Sequence, residues 1–278
     1  VAVASCPKTK KVYVADVGCF SIFCLSSAGN LERISGDGSS GYCESDGSKP
    51  AQWGFPSSLA IDKNGDLLVC DRKNHCIRKV LLSKITESSV FESGCYPTDL
   101  LTGSAGVSGC DDGEMMYARF DPPAAIACAP DGSFFVSDLG SGRIRRIFAD
   151  STVITLPGIF AGACGIALDA LGRLYIANTD EATILRYDTE DRIEVMPFYG
   201  LQGPQSMALD CDIGSLFVVD QHAVKSFPVA RILPPSPSSL DSDLNNLYKR
   251  TISGEAGVYT DVVFLVEGWK TYKKLKSH

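Results

Sequence analysis

"FPSSLAIDKNGDLLVCDRKNHCIRKVLL", residues 55–82, is the stretch of sequence that decides the fold. An apolar run at 59–61 is followed by a turn that contains Asn64 and Gly65, and a second apolar run at 67–70 ends at Asp71. A third run of the same kind covers residues 77–82. Short runs rich in branched residues, separated by Asn-Gly or Asp-rich turns, are typical of antiparallel strands joined by hairpins. The stretch therefore predicts three strands of a β-meander.

The same pattern recurs along the chain. Residues 122–149, 162–188 and 203–229 repeat it closely, and residues 1–25 and 261–276 repeat it loosely. The residue that closes the second strand forms one column, whose members are Asp16, Asp71, Asp138, Asn178, Asp220 and Glu267. Successive members are about 40 to 67 residues apart, which is near the repeat of about 40 to 50 residues of a four-stranded propeller blade. The sequence predicts six such units.

The segment "DRKNHCIRKV", residues 71–80, contains the Asn-His pair from which the NHL repeat takes its name, and the chain resembles that family here. Two glycine-rich linkers, at 36–56 and 103–122, are also similar to the linkers of the family. They share a G-x-G-x-x-G…D-G…A-x-F-x-x-P-like pattern, carried by Gly36, Gly38, Gly41, Asp46, Gly47, Ala51, Phe55 and Pro56 and again by Gly103, Gly106, Gly109, Asp112, Gly113, Ala118, Phe120 and Pro122. The resemblance implies an all-β, six-bladed β-propeller with four-stranded antiparallel blades, of which the first and last are irregular or incomplete.

We expect one propeller domain over residues 1–278, because a single ring can hold a chain of this length. The expected blades are 1–36, 57–102, 123–157, 163–196, 204–253 and 258–278. Insertions are expected at 83–97 and 230–250, and the last blade lacks a clear inner strand before "VVFLVEG". The chain begins at Val1 rather than at Met, which favours a piece of a longer, multidomain protein.

The composition limits the cellular context only weakly. The chain has 11 cysteines and a formal net charge of −7. Cys70, Cys128 and Cys164 fall in expected strands, where a free thiol behaves as a small apolar side chain, while the sequence leaves open whether the loop cysteines 43, 95 and 110 form disulfides. No run of about 18 apolar residues and no N-x-S/T sequon occurs, so localisation stays open, with the cytoplasm slightly favoured over secretion.

The six-membered column predicts a structural role. A short carboxylate or amide at a tight corner can accept backbone N–H bonds, and a residue needed at each equivalent corner serves the scaffold. Arg78, Arg145 and Arg186, in the third strands, are the expected partners of these acids.

Recognisable catalytic motifs are absent. Gly36, Gly38 and Gly41 spell G-x-G-x-x-G, but a dinucleotide site needs a strand before it and a helix after it, and here the motif lies between two blades. The segments "DKNGD" and "DCDIG" coincide with expected hairpin turns and are too short to form calcium loops. We therefore predict no catalytic residue, no metal ligand set and no cofactor.

The resemblance also implies two alternative functions. Six-bladed relatives with lyase or lactonase activity hold a metal in the central channel, for which calcium or zinc would be the ions here. The Pro-Asn position of a lactonase-like site reads Pro204-Gln205, and His75 and His222 supply at most two nitrogen ligands. Some NHL propellers bind single-stranded RNA through a basic rim, but a pI of about 5.0 argues against the basic surface that nucleic-acid binding requires.

Residues that break the repeat on the rim are the candidates for binding. Large aromatics, methionine and arginine commonly anchor protein partners. The candidates are Tyr42, Trp53, Arg72, His75, Met115, Met116, Tyr117 and His222. The competing interpretation is that Trp53 and the two methionines pack into the seams between blades. The sequence as a whole predicts a non-enzymatic protein-interaction scaffold that presents its loops to a protein partner.

Overall fold

The computed structural model describes residues 2–6, 8–84, 95–188, 191–210, 214–221 and 223–229, together with short strands between 259 and 276. Its strands form antiparallel sheets that follow one another along the chain. Blade one contains β1 (Ala2–Cys6), β2 (Lys11–Asp16), β3 (Ser21–Leu25) and β4 (Leu31–Ser35). Blade two contains β5 (Pro56–Ile61), β6 (Leu67–Asp71), β7 (Cys76–Val80) and β8 (Thr98–Gly103).

The next three blades follow the same order. Blade three contains β9 (Gly113–Glu114), β10 (Pro123–Cys128), β11 (Phe134–Asp138), β12 (Arg143–Ile147) and β13 (Thr152–Thr155). Blade four contains β14 (Ala163–Leu168), β15 (Leu174–Asn178), β16 (Thr183–Tyr187) and β17 (Ile193–Val195). Blade five contains β18 (Pro204–Asp210), β19 (Ser215–Asp220) and β20 (Ala223–Pro228). Short 3₁₀ helices cover Arg72–Asn74, Leu82–Lys84 and Met115–Tyr117.

The first strands of the blades surround a common axis. β1 contacts β5, β5 contacts β10, β10 contacts β14 and β14 contacts β18. These five strands line a central channel with a cavity volume of about 330 Å³. The chain is therefore a β-propeller in which each blade extends outward from the channel.

The structure shows five blades, so the prediction of six is wrong. Residues at the C-terminal end form two separate two-stranded ribbons, β21 (Tyr259–Thr260) with β24 (Leu275–Lys276) and β22 (Val263–Val266) with β23 (Trp269–Tyr272). β22 contacts both β1 and β18, so the second ribbon lies between blades five and one. The sequence has no apolar run before β22 that could supply an inner strand, and the described residues in this part of the chain form no four-stranded blade.

The expectation of an irregular first blade is also wrong. Blade one has four paired strands, with one register shift between Ile22 and Phe23. The outer strand expected for blade five at 248–253 lies outside the described residues, as does most of the insertion at 83–97. Blade three gains a fifth strand, because β9 from the preceding linker pairs with its outer strand β13.

Apolar side chains are buried mainly between neighbouring blades. Four core clusters lie at the seams between blades one and two, two and three, three and four, and four and five. Large members such as Ile22, Leu67, Ile144 and Leu174 are fully buried, and each contributes about 1.5–3 kcal/mol by leaving water. Blade-to-blade packing therefore supplies most of the apolar stabilisation.

None of the ten described cysteines forms a disulfide with another described cysteine. Cys70 is buried in its strand, as the sequence predicts, whereas Cys128 and Cys164 are half-buried. Of the loop cysteines, Cys95 is buried, Cys43 is half-buried and Cys110 is exposed.

A left-handed residue precedes the third strand of each blade. Phe20, His75, Gly142, Ala182 and Gln221 occupy this position, with φ between 48° and 63°. Only glycine adopts this conformation without a steric cost from Cβ. A Cβ added at Gly142 would meet nothing closer than 3.6 Å, so the backbone angle alone decides the preference there.

We expect Ala182→Gly to stabilise the protein and Gly142→Ala to destabilise it, each by about 1 kcal/mol or less. The two substitutions exchange the same residues at equivalent corners of blades four and three, so each is the control for the other. Chemical denaturation of both variants measures the effect. Changes of the same sign in both would contradict the assignment of backbone strain to this position.

Candidate functional site: the linker face

One end of the propeller carries the connections between blades. In each blade the first strand begins, the second ends and the third begins at this end, because the strands are antiparallel. We call this end the linker face, and the turns between second and third strands also lie there. Each linker takes the number of the blade before it. The linkers used below are linker one (residues 36–55), linker two (residues 104–122) and linker four (residues 196–203).

The corner residues of the predicted column accept backbone N–H groups on this face. Asp71 Oδ1 accepts from Gly54 and Phe55 at 2.9 Å each, and Asp138 Oδ1 accepts from the Asp121 N–H at 2.5 Å. Asp220 Oδ1 does the same for residues 202 and 203 at 2.9 and 2.7 Å. The three carboxylates thus hold the end of the linker that enters their own blade.

The other two described members act more locally. Asp16 Oδ1 accepts from the Gly18 N–H at 2.8 Å, and Asn178 Oδ1 accepts from the Glu181 N–H at 3.2 Å, both within the turn itself. Glu267, the sixth member, lies outside the described residues.

A cation of the third strand joins each linker-holding acid to the linker above it, and in blades two and three this cation is buried. Arg78 Nη1 lies 3.2 Å from Asp71 Oδ2, and its two Nη atoms donate to the carbonyls of Gln52 and Cys43 at 2.5 and 2.6 Å. The side chains of both members of the pair have no exposed surface.

Blades three and five repeat this arrangement. Arg145 Nη1 lies 3.2 Å from Asp138 Oδ2, and its Nη atoms donate to the carbonyls of Arg119 and Asp111 at 2.7 Å each. Lys225 Nζ lies 2.5 Å from Asp220 Oδ2 and also donates to the Gly200 carbonyl of linker four. A cation in the third strand therefore ties a corner acid to linker carbonyls in three blades.

Blade four replaces the charged pair by a neutral one. Leu185 lies opposite Ile176 in blade four, and Arg78 lies opposite Val69 in blade two, so the two residues occupy equivalent positions. The corner residue of blade four is Asn178 rather than an acid. The predicted partnership of Arg186 with the column is wrong, because Arg186 lies one residue further along β16 and so points to the opposite face of the sheet. It pairs with Glu194 instead.

The pKa directions show how closely burial and pairing compete at these corners. Burial raises the pKa of Asp138 above its ordinary value of 3.8 and outweighs the hydrogen bonds from Ser141, the Asp121 N–H and Arg145. Burial also acts on Asp220, but the bonds from Lys225 and the linker N–H groups prevail and lower its pKa. The buried pair of blade three is therefore a positioning device for the linker rather than a large source of stability.

Trp53 and Tyr42 surround Arg78 in linker one. Trp53 is fully buried, its Nε1 donates to Ser35 Oγ at 3.0 Å, and its ring centroid lies 4.3 Å from the Arg78 guanidinium carbon. Trp53 therefore packs in the seam, and its assignment to the exposed rim is wrong. Phe120 takes the same place over Arg145, so Trp53, not Phe55, occupies the aromatic position of the linker motif.

Tyr42 is half-buried over the same guanidinium, at 4.8 Å, and its hydroxyl donates to Glu44 at 2.8 Å. Burial, together with the neighbouring Glu44 carboxylate, raises the pKa of Tyr42 well above its usual range.

The Asn-His pair of the signature contacts the two linkers on either side of it. Asn74 Nδ2 donates to the Gly41 carbonyl of linker one and to Asp71 Oδ2, both at 2.8 Å. His75 Nδ1 lies 3.2 Å from the Phe120 carbonyl and 3.9 Å from Asp121 Oδ1 in linker two. Both side chains thus serve to anchor linkers.

Met115, Met116 and Tyr117 form an exposed apolar group in linker two, beside the turn between β12 and β13. They are consecutive residues of a 3₁₀ helix and are 51%, 61% and 73% exposed. The backbone beneath them is fixed: Thr102 Oγ1 donates to the Met115 carbonyl at 2.8 Å, and the Met115 N–H donates to the Ser151 carbonyl at 3.2 Å. The trio is therefore presented to solvent on an ordered support.

Arg72 and His222 are the remaining candidates for binding. Arg72 is half-buried beside His75, and its N–H donates to the Phe55 carbonyl at 2.9 Å. His222 lies outside the described residues.

The attachment of linker two depends on the ionisation of Asp112. Burial alone would raise the pKa of Asp112, but hydrogen bonds from Thr155 and Arg145 outweigh it and hold the pKa below its ordinary value of 3.8. A carboxyl whose pKa is lowered by folding contributes stability above its unfolded pKa and loses that contribution as the pH falls through the folded one.

We expect Asp112→Asn to reduce the free energy of unfolding near neutral pH and to have progressively less effect at lower pH. The difference from wild type should decrease below about pH 4 and approach zero near about pH 2. Urea denaturation of both proteins across this range measures it. A difference that does not change with pH would show that the charge of Asp112 has no part in holding the linker.

The fold and the linker face define the class of protein: a β-propeller whose interblade linkers are held by corner acids. Residues 54–80 match the family model of the NHL repeat, so the chain contains an NHL repeat in blade two. No helix in the described part of the chain has the length and apolar character needed to cross a membrane. Within the same residues, no three His, Cys, Asp or Glu side chains are grouped to hold a metal ion.

Solved propellers share this fold. A chain of the nidogen/laminin complex is 17% identical with a TM-score of 0.54, over 82% of this chain and 79% of that one. A gluconolactonase from Xanthomonas campestris is 15% identical with a TM-score of 0.58, over 82% and 71%. Virginiamycin B lyase from Staphylococcus aureus is 13% identical with a TM-score of 0.52, over 82% and 69%. At such identities these likenesses show the fold alone.

Two curated proteins are similar in sequence. Protein SUPPRESSOR OF QUENCHING 1, chloroplastic, from Arabidopsis thaliana is 25% identical over 249 residues, which is 84% of this chain and 22% of that protein. Teneurin-m from Drosophila melanogaster is 37% identical over 86 residues, which is 29% of this chain and 3% of that protein. The chain thus spans less than a quarter of the length of either relative.

Proposed function

We propose that the chain is a protein-interaction module that binds a partner through the exposed residues of linker two. The observation that carries this proposal is the exposed trio Met115, Met116 and Tyr117. Large apolar side chains rarely stand next to one another in water unless they serve a contact, and methionine and tyrosine are enriched at interfaces. The propeller serves as the rigid support, and we propose that it is one module of a longer chain.

The fixed backbone of the trio supports this function. An interface loses affinity when its loops must be ordered on binding. Here Arg119 donates to the carbonyls of Met116 and Ala118, and Arg145 holds the ends of the same linker. A partner would therefore meet a surface that is already ordered.

The channel lining gives less support to metal-dependent catalysis. Its described walls are mainly aliphatic, and the one carboxylate among them, Asp62, already lies 2.9 Å from Lys79 Nζ. Three arginines that could contribute to a basic rim for RNA are also engaged: Arg78 and Arg145 are buried in ion pairs, and Arg146 pairs with Asp131. Both functions stay as alternatives that the following experiment distinguishes from protein binding.

Site-specific photo-cross-linking tests the proposal. A photoreactive phenylalanine analogue replaces Tyr117 in one variant and Tyr199, which is 85% exposed in linker four, in a matched control. We expect a discrete protein adduct from position 117 in extracts of the source cells, resistant to nuclease and not formed from position 199. Equal labelling of both positions, an adduct that is sensitive to nuclease, or no adduct would contradict the proposal.

A further inference from the structure

The opposite end of the central channel has a chemistry that the linker face does not use. This end is formed where the first strands of the blades finish and turn into the second strands, and we call it the turn end. The channel there is lined by all five described inner strands and has a volume of about 330 Å³. Small-molecule sites typically start at about 300 Å³, so a compact ligand fits.

The large side chains that line the channel are apolar. They are Leu59, Ile61, Ile166, Leu168, Met207 and Leu209. Such a wall offers few hydrogen-bond partners to a sugar or a nucleotide, because a polar ligand would lose its water contacts without replacing them. A hydrocarbon chain loses nothing by entering, and each buried CH₂ group contributes about 0.8 kcal/mol.

The mouth of the channel at the turn end is positively charged. Lys8 and Lys63 border the cavity and are exposed, and neither forms an ion pair with any described residue. Lys79 Nζ lies 2.9 Å from Asp62 Oδ2 and 3.8 Å from Asp66 Oδ2, and Asp62 Oδ1 also accepts the N–H groups of Asn64 and Asp66 at 2.8 and 2.9 Å. Two lysines that form no ion pair with a described residue therefore flank an apolar cavity.

A hydroxyl at the same end has no hydrogen-bond partner among the described residues. Ser5 borders the cavity, and its Oγ is buried without a hydrogen bond to any described group. Buried hydroxyls are almost always bonded in folded proteins. An anionic oxygen placed at this end of the channel could accept from Ser5 and from the two lysines together.

We propose that the turn end of the channel binds a single-chain amphiphile with an anionic head group. The chain lies along the aliphatic wall, and the head group lies at the mouth between Lys8 and Lys63. The volume suits a saturated chain of about ten carbons. This site is independent of the linker face, and its occupation leaves the trio of linker two free for a partner.

Isothermal titration calorimetry of the full chain tests the proposal with decanoate, decanol and decyltrimethylammonium below their critical micelle concentrations. We expect saturable binding of decanoate, weaker binding of decanol and weakest binding of the cation. In Lys8→Glu/Lys63→Glu, decanoate affinity should fall about tenfold, since two exposed contacts are each worth about 0.2–1 kcal/mol, while decanol affinity stays unchanged. Lys73→Glu, on the linker face, is the matched control and should change neither.

A second variant tests the location of the chain. Ala127 lines the cavity, and Ala127→Phe should fill it and abolish binding of all three probes, with circular dichroism used to confirm folding. The substitutions in Lys8→Glu/Lys63→Glu are on the surface. If Ala127→Phe does not fold, the decanoate affinity of the lysine variant still tests the proposal. No saturable decanoate binding, equal affinity for the cation, or unchanged affinity in folded Ala127→Phe would overturn the proposal.

Discussion

Asp71→Ala is expected to lower the free energy of unfolding by about 3 to 5 kcal/mol, because it leaves the Arg78 guanidinium buried without its counter-charge. The substitution also removes the acceptor of the Gly54 and Phe55 N–H groups, which hold the end of linker one. Urea denaturation monitored by circular dichroism measures the loss. Asp131→Ala breaks the partly exposed pair with Arg146 and, as the control, should cost less than about 1 kcal/mol.

A double-mutant cycle on Asp71 and Arg78 tests the interaction between the two side chains more directly. Blade four shows that a neutral corner, Asn178 with Leu185, is compatible with the fold. The double variant Asp71→Asn/Arg78→Leu copies it and should be less destabilised than the sum of its two single variants, with a coupling energy of about 1 kcal/mol or more. Additive single effects would show that acid and cation act separately, against the role given to them here.

Substitution of the exposed trio by serine is expected to weaken partner binding at least about 30-fold, which corresponds to roughly 2 kcal/mol, the usual lower limit for an interface hot spot. Because the three side chains of Met115→Ser/Met116→Ser/Tyr117→Ser are exposed, the free energy of unfolding should change by less than about 0.5 kcal/mol per substitution. Surface plasmon resonance with the partner identified by cross-linking measures the affinity.

The control for this prediction uses exposed apolar side chains of two other linkers. Ile159 and Tyr199 are 73% and 85% exposed, and Ile159→Ser/Tyr199→Ser should bind the partner as wild type does. Equal losses of affinity in both variants would indicate that replacing exposed apolar side chains at any position weakens binding. An unchanged affinity of the trio variant would remove linker two from the interface.

The repeated units could be predicted from the sequence because the strands of each blade follow one another directly along the chain. The apolar runs at 59–61, 67–70 and 77–82 predicted three strands, and β5, β6 and β7 agree with them closely. The number of blades could not be predicted from the sequence, because "VVFLVEG" resembles a second strand whether or not an inner strand precedes it. Closure of the ring depends on contacts between distant parts of the chain, which no local pattern reveals.

The candidate site was predictable only in part. Exposure of Met115, Met116 and Tyr117 agrees with the rim hypothesis, whereas burial of Trp53 follows from its contacts with Arg78 and Ser35. Alignment of the Ala-x-aromatic motifs, Ala51 with Trp53 and Ala118 with Phe120, is the signal that could have placed Trp53 in the seam. The choice between Leu185 and Arg186 depended on strand register, which the sequence alone did not fix.

Amide hydrogen exchange on the linker face tests the central claim, that buried cation–acid pairs hold the linkers in place before any partner binds. The informative amides are those of Gly54, Phe55 and Asp121, bonded to corner carboxylates, and of Met115, bonded to Ser151. We predict that these amides exchange far more slowly than exposed loop amides and that Asp71→Asn accelerates Gly54 and Phe55 selectively. Exchange of all four at the rate of an exposed loop would contradict the account.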